Sequence, residues 1–113
     1  MLIQTKRLIK NYSNGNRITK VLRGIDLAIK EGDFVGISGR SGAGKSTLLY
    51  QLSLLDEPTG GEVIVDGVKS TDLSNGERTK FRLNKLGYVF QDYAILPELT
   101  ARENVMIPNF NAW

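Results

Sequence analysis

No cysteine occurs in the 113 residues, so no disulfide framework holds the chain and nothing in it calls for an oxidising compartment. A reducing cytosol suits it equally well. No apolar stretch approaches the ~18 residues that a membrane span requires, and the N-terminus lacks the uninterrupted apolar run of a secretory leader. If a membrane matters, another polypeptide is expected to supply the span. Internal repeats and low-complexity segments are also missing. So is any dense run of one charge. The formal net charge is +3, but Lys6, Arg7, Lys10, Arg17, Lys20, Arg23 and Lys30, then Arg78, Lys80, Arg82 and Lys85, are dispersed. That is the pattern of a solvated surface rather than of a nucleic-acid arm.

What remains is the composition of a modest globular domain, 41% hydrophobic and 24% charged, long enough for one domain at most. Residues 2–30 read as extended segments, with Asn14-Gly15 as a hairpin turn. Ile25, Leu27 and Ile29 alternate with Asp26, Ala28 and Lys30, the period of a half-buried strand. Glu31-Gly32-Asp33 turns the chain into Phe34-Val35-Gly36-Ile37, an apolar run that predicts a short buried strand. Leu48, Leu49, Leu52 and Leu55 then recur at helical spacing, with Pro58 just past the predicted helix end. A second hairpin is expected at Asp66-Gly67. Ser74 with Glu77, and Thr100 with Glu103, match capping boxes that open helices. The first of these runs toward Leu86 and ends at Gly87, and the second is expected to stop at Pro108. Tyr88-Val89-Phe90 predicts another short strand between them. Together these elements predict an α/β fold, an antiparallel β layer joined to the start of a strand–loop–helix core.

The chemistry lies in Gly39-Arg40-Ser41-Gly42-Ala43-Gly44-Lys45-Ser46, a full match to G-x-x-x-x-G-K-[ST] between a predicted strand and a predicted helix. Glycines let the backbone fold into a concave nest whose N–H groups converge on an anion. The helix that follows adds its unpaired N–H groups and positive dipole end. Lys45 supplies a full charge for the β- and γ-phosphates, and the Ser46 hydroxyl is placed to ligate magnesium. The candidate nucleotide contacts are Gly39, Arg40, Ser41, Gly42, Ala43, Gly44, Lys45, Ser46 and the next residue, Thr47. A chance glycine-rich turn is the bland alternative, and the strand–loop–helix context argues against it.

The loop is common to many nucleotide-binding folds, and its surroundings narrow the choice. Val21-Leu22-Arg23-Gly24-Ile25-Asp26-Leu27 leading into Glu31-Gly32-Asp33 resembles the lead-in of ABC-transporter ATP-binding subunits, as does Pro58-Thr59-Gly60-Gly61-Glu62-Val63. Tyr88-Val89-Phe90-Gln91-Asp92-Tyr93 followed by Leu96-Pro97-Glu98-Leu99-Thr100-Ala101-Arg102-Glu103-Asn104-Val105 is similar to the Q-loop region of the lipoprotein-releasing, macrolide-exporting and cell-division branch. The likeness runs to about Pro108 and is weaker over residues 109–113. It implies a P-loop NTPase core of the ABC ATPase type, ATP and Mg2+ as ligands, and Gln91 as a second magnesium contact that couples to a membrane permease subunit. Tyr12 falls where the family places an aromatic residue that stacks on adenine. A second ATP-binding subunit would complete a dimer on the cytoplasmic face of the plasma membrane, and no nucleic-acid partner is implied.

Two segments mimic motifs that the resemblance does not support at these positions. Leu54-Leu55-Asp56-Glu57-Pro58 looks like the family's Walker B strand, with a magnesium aspartate and a catalytic glutamate. On a helix opened at the loop, however, Asp56 would lie about 16 Å from the phosphates. The segment more closely resembles the family's turn between the first helix and the next hairpin. Leu73-Ser74-Asn75-Gly76-Glu77 echoes the signature sequence but precedes Gln91 instead of following it. With these set aside, residues 1–113 are expected to be the N-terminal portion of an ABC ATP-binding domain, ending after the Q-loop, with an incomplete core. The family's switch histidine has no counterpart, since the chain contains no histidine. No complete catalytic set is expected in the chain, although the family hydrolyses ATP. The alternatives are a non-hydrolytic nucleotide-binding module and an ABC ATPase that acts outside transport.

Overall fold

Strand β1 (Ile3–Asn14) and strand β2 (Arg17–Ile29) form a long antiparallel hairpin closed by Gly15 and Asn16. Asn14 pairs with Arg17, so the turn sits one residue later than the Asn14-Gly15 expectation. Gly15 adopts φ +63°, the left-handed conformation that the first central residue of a primed hairpin turn needs. The structure is a computed structural model that describes residues 2–92 and 94–110, with the side chains of residues 109 and 110 left aside. Tyr93 of the family-like segment and residues 111–113 lie outside what is described.

Three bulges shape the hairpin, one of them between Lys10 and Asn11, where Val21 is the extra residue on β2. Between Thr5 and Leu8 strand β1 carries an extra residue at Arg7, and between Ile9 and Leu8 strand β2 carries one at Gly24. Each shifts the alternation by one, so Thr5 and Leu8 are both buried on one strand, and Leu22 and Ile25 both turn inward on the other. Arg7 has φ +45°, and its N–H donates to Asp26 Oδ1 at 2.8 Å. Strand β3 (Gly60–Val65) runs antiparallel on the other edge of β1, and β4 (Val68–Lys69) pairs with β3, giving the order β2-β1-β3-β4. Asp66 and Gly67 both take positive φ at that turn, as a type I′ hairpin demands and as the sequence predicts. Gly61 cannot be another residue. A methyl group there would stand 2.1 Å from the Arg7 carbonyl oxygen.

Helix α1 (Lys45–Leu52) packs on β2 and β3. The core comprises Leu8, Leu22, Val63 and Val65 from the sheet, Leu48 and Leu52 from α1, and Leu54. The helix is shorter than its leucine spacing predicts, and Leu49 and Leu55 are exposed. The cause is a Schellman closure: the Leu54 N–H donates to the Gln51 carbonyl at 3.2 Å and the Leu55 N–H to the Tyr50 carbonyl at 2.9 Å. Leu54 itself takes φ +58°, a conformation costing a non-glycine residue about 1–2 kcal/mol. Its side chain is 2% exposed, and burying a leucine returns about 1.5–3 kcal/mol. Burial therefore outweighs the strain.

Contacts divide the chain into two units, Met1–Ser74 and Asn75–Trp113. In the second, helix α2 (Asn75–Lys85) begins directly after Ser74, with Glu77 in its first turn. Helix α3 (Ala101–Phe110) opens on the expected capping box. The Glu103 N–H donates to Thr100 Oγ1 at 3.1 Å, and the Thr100 N–H donates to Glu103 Oε1 at 3.3 Å. Pro108 does not stop this helix but lies inside it. So near the end it removes only the bond to the Asn104 carbonyl, and its fixed φ suits the last turn.

Neither predicted apolar strand forms. Residues 34–37 and 88–90 pair with nothing among the described residues, and Phe34 and Val89 are almost fully exposed. A run apolar on both faces is the pattern of a strand inside a parallel sheet, and it becomes a strand only when a neighbouring strand bonds to its edge. The four strands among the described residues pair antiparallel.

Candidate functional site: a phosphate loop beside an aromatic platform

The turn at residues 41–44 runs directly into α1. Gly42 and Gly44 adopt φ +81° and +96°, alternations that curve the backbone into an anion-binding concavity. Gly44 is the N-cap of α1, where no side chain caps the helix. Its carbonyl accepts the Leu48 N–H at 2.9 Å, so the first turn is closed while its leading N–H groups are left to a ligand. The loop rests on β2. A methyl group at Gly44 would meet Val21 Cγ1 at 3.0 Å and Leu22 Cδ2 at 3.3 Å.

Within the loop, the Ala43 N–H donates to the Arg40 carbonyl at 3.1 Å. Lys45 Nζ donates to the Gly39 carbonyl, which folds the ammonium back over the loop. Arg40, Ser41, Gly42, Ala43 and Ser46 are exposed, and Gly44, Lys45 and Thr47 half-buried. The nine candidate residues from Gly39 to Thr47 thus form one continuous surface at the head of α1.

Tyr12 lies near the end of β1 opposite Thr19. Thr19 precedes Val21, the residue beneath Gly44, by two positions, a step of about 7 Å along a strand. The same hairpin therefore carries both the aromatic ring and the seat of the loop. The Tyr12 hydroxyl donates to Asp56 Oδ2 at 3.3 Å, and Lys10 Nζ pairs with the same oxygen at 3.2 Å. The Lys10 ammonium also stands 5.2 Å from the centroid of the Tyr12 ring, a cation–π distance. Nothing local in the sequence announces this cluster, because its members are 44 residues apart.

Asp56 and Glu57 follow the Schellman closure and precede Pro58, in the turn between α1 and β3. The resemblance-based reading of a turn rather than a Walker B strand agrees with that position. The helix ends at Leu52, so Asp56 does not stand about 16 Å along its axis as the helical spacing predicts. What sets Asp56 aside is its engagement with Lys10 and Tyr12.

Gln91 belongs to the second unit, is exposed, and sits at no strand end. With Val89, Phe90, Ile95 and Val105 it lines an open hollow. Tyr88 and Phe90 stack edge to face with centroids 4.6 Å apart. Asn104 pins the loop before α3: Oδ1 accepts the Leu96 N–H at 2.9 Å, and Nδ2 donates to the Leu96 and Thr100 carbonyls at 3.2 and 2.9 Å.

Among the described residues no group of three acidic, histidine or cysteine side chains is arranged to hold a metal. Magnesium commonly takes few protein ligands and completes its shell with phosphate oxygens and water. An exposed serine hydroxyl beside the loop lysine suits that mode.

Over 107 residues the chain is 48% identical to an uncharacterized ABC transporter ATP-binding protein, MJ0796, of Methanocaldococcus jannaschii, covering 95% of this chain and 46% of that protein. It is 50% identical to the lipoprotein-releasing system ATP-binding protein LolD of Xylella fastidiosa, covering 95% of this chain and 45% of the relative. The fold matches a dimeric, post-hydrolysis structure of the ATP-binding cassette MJ0796 bound to ADP and Pi, with a TM-score of 0.94 and 45% identity, over 98% of this chain and 48% of that one. The chain thus spans about half the length of the relatives it matches. With the ABC transporter family model matching residues 22–113, the chain belongs to the ABC transporter family.

Proposed function

We propose that residues 1–113 are the N-terminal portion of an ABC ATP-binding domain and bind ATP with magnesium. Gly39, Arg40, Ser41, Gly42, Ala43, Gly44, Lys45, Ser46 and Thr47 hold the phosphates, and Tyr12 stacks on the base. The observation that carries the reading is the intact loop with left-handed Gly42 and Gly44 at the head of α1. Ser46 would hold magnesium, with Gln91 as a second contact. The ion supplies charge neutralisation at the β- and γ-phosphates.

The complete cassette would hydrolyse ATP to power export or release of a substrate. It would do so as a dimer with a second ATP-binding subunit, docked on a membrane permease at the cytoplasmic face of the plasma membrane. Support comes from a relative named for a lipoprotein-releasing system and from a dimeric structural neighbour. Among the described residues no helix is long and apolar enough to cross a membrane. The test is calorimetric titration with MgATP. Lys45→Ala removes the charge set against the phosphates and should abolish binding. Equal affinity of the two proteins would overturn the proposal.

A further inference from the structure

We propose that Asp56 is a positioning residue for the nucleotide base, acting through the Tyr12 hydroxyl to hold the ring in register with the phosphate loop. The proposal rests on the reading of Tyr12 as the base platform and adds what orients it. The ring is held at two places. Its hydroxyl edge donates to Asp56 Oδ2, and the Lys10 ammonium stands over one face. Tyr12 is still 41% exposed, so a base would stack on the face away from Lys10.

The holders are themselves fixed. Asp56 Oδ1 accepts the Glu57 N–H at 2.9 Å, and Lys10 Nζ donates to the Glu57 carbonyl at 2.8 Å. Gln51, fully buried in α1, donates from Nε2 to that same carbonyl at 3.3 Å. The Lys10 side chain is only 13% exposed, so its charge depends on these partners. One hydrogen-bonded path therefore links the last turn of the phosphate-loop helix to the ring that would carry the base. Thr59 ties the same turn to β1, its hydroxyl accepting the Asn11 N–H at 2.9 Å. An acid that imitates a magnesium ligand in sequence thereby gains a different task, at the base end of the nucleotide.

The experiment compares MgATP with magnesium tripolyphosphate, which lacks a base, on the full chain. The wild type should prefer ATP by about fivefold or more, the lower end of what base–aromatic stacking supplies. Tyr12→Phe keeps the ring and loses only the hydroxyl, and Asp56→Ala removes the acceptor. Each should cut the preference by about threefold without changing tripolyphosphate affinity, and the double variant should be no worse than either single. A Tyr12→Phe variant that keeps the full preference overturns the proposal, as does an Asp56→Ala variant that weakens both ligands equally. Should Asp56→Ala lose its folded circular dichroism spectrum, Tyr12→Phe decides alone. Failure of the underlying reading shows differently: Tyr12→Ala would leave the preference intact, or Lys45→Ala would leave tripolyphosphate binding unchanged.

Discussion

Replacing Gly44 by alanine tests the fold and the site with one methyl group. The backbone there has φ +96°, which costs a non-glycine residue about 1–2 kcal/mol. The new methyl would lie 3.0 Å from Val21 Cγ1 and 3.4 Å from the Val21 carbonyl oxygen, so β2 or the loop must shift by a few tenths of an ångström. Such overpacking adds about 1 kcal/mol at the mild end of its range. Loss of unfolded-state freedom returns about 0.4–1 kcal/mol. The net expectation is a destabilisation of about 1–3 kcal/mol, read from urea unfolding followed by circular dichroism. Relaxation would also displace the helix cap, so tripolyphosphate affinity should fall at least tenfold. Gly42→Ala is the control, with φ +81° and nothing within 4 Å of the added methyl; it should show the backbone cost without the packing cost. Val21→Ala in the Gly44→Ala background should recover part of the difference. The reasoning is refuted if Gly44→Ala matches the wild type in both stability and phosphate affinity.

Four other outcomes are expected. Leu54→Ala should cost about 2–5 kcal/mol through the cavity it leaves, and Leu54→Gly should be no worse, since glycine relieves the left-handed strain that alanine keeps; a clearly less stable glycine variant in urea unfolding would count against the Schellman closure. Thr100→Ala should weaken α3 by about 0.5–2 kcal/mol through loss of its cap, seen as reduced helical circular dichroism. Glu57→Gln should leave the magnesium dependence of ATP binding within about twofold, because Glu57 lies in the turn between α1 and β3 and its backbone carbonyl, which Lys10 and Gln51 use, is kept. Lys69 is held above its ordinary 10.5 by a hydrogen bond to Glu62, 3.1 Å away, and by that carboxylate's charge, with a smaller push from Asp72; its contribution is full below pH 10.5 and lost as pH climbs through the raised value, and Glu62→Gln should return the NMR titration toward the ordinary value.

Much of the first unit is legible in sequence because it is locally determined. The turns at Gly15 and at Asp66-Gly67 announce themselves by residues that tolerate positive φ, and the phosphate loop by glycines around a lysine. Strand β2 shows its inward face at Ile25, Leu27 and Ile29 once Gly24 has reset the alternation. The end of α1 is not legible in this way. Leu54 is a poor residue for a left-handed cap, and only the burial of its side chain explains why the helix turns there rather than at Leu55. The clamp on Tyr12 is hidden for a related reason: Lys10, Tyr12 and Asp56 meet only after β3 has paired with β1 and brought the α1–β3 turn across.

The two apolar runs that form no strand show where such reading stops. Hydrophobicity marks side chains suited to burial, not which edge the segment will bond. Strands β1 to β4 find their partners through short turns or along a sheet already built, and antiparallel pairing can close with two residues. A parallel core strand is joined to its neighbour by a crossover of a dozen residues or more, so its own residues carry no mark of the partner. Phe34-Val35-Gly36-Ile37 has the apolar side chains for such a position and leads straight into the phosphate loop. Its backbone has no neighbouring strand among the described residues, and Phe34 stands fully exposed. The loop nevertheless keeps its left-handed glycines, because its seat is Val21 and Leu22 of β2 and its cap is the first turn of α1. The geometry of the loop is therefore set by the hairpin behind it and the helix after it, and it does not wait on a strand at the apolar run that precedes it.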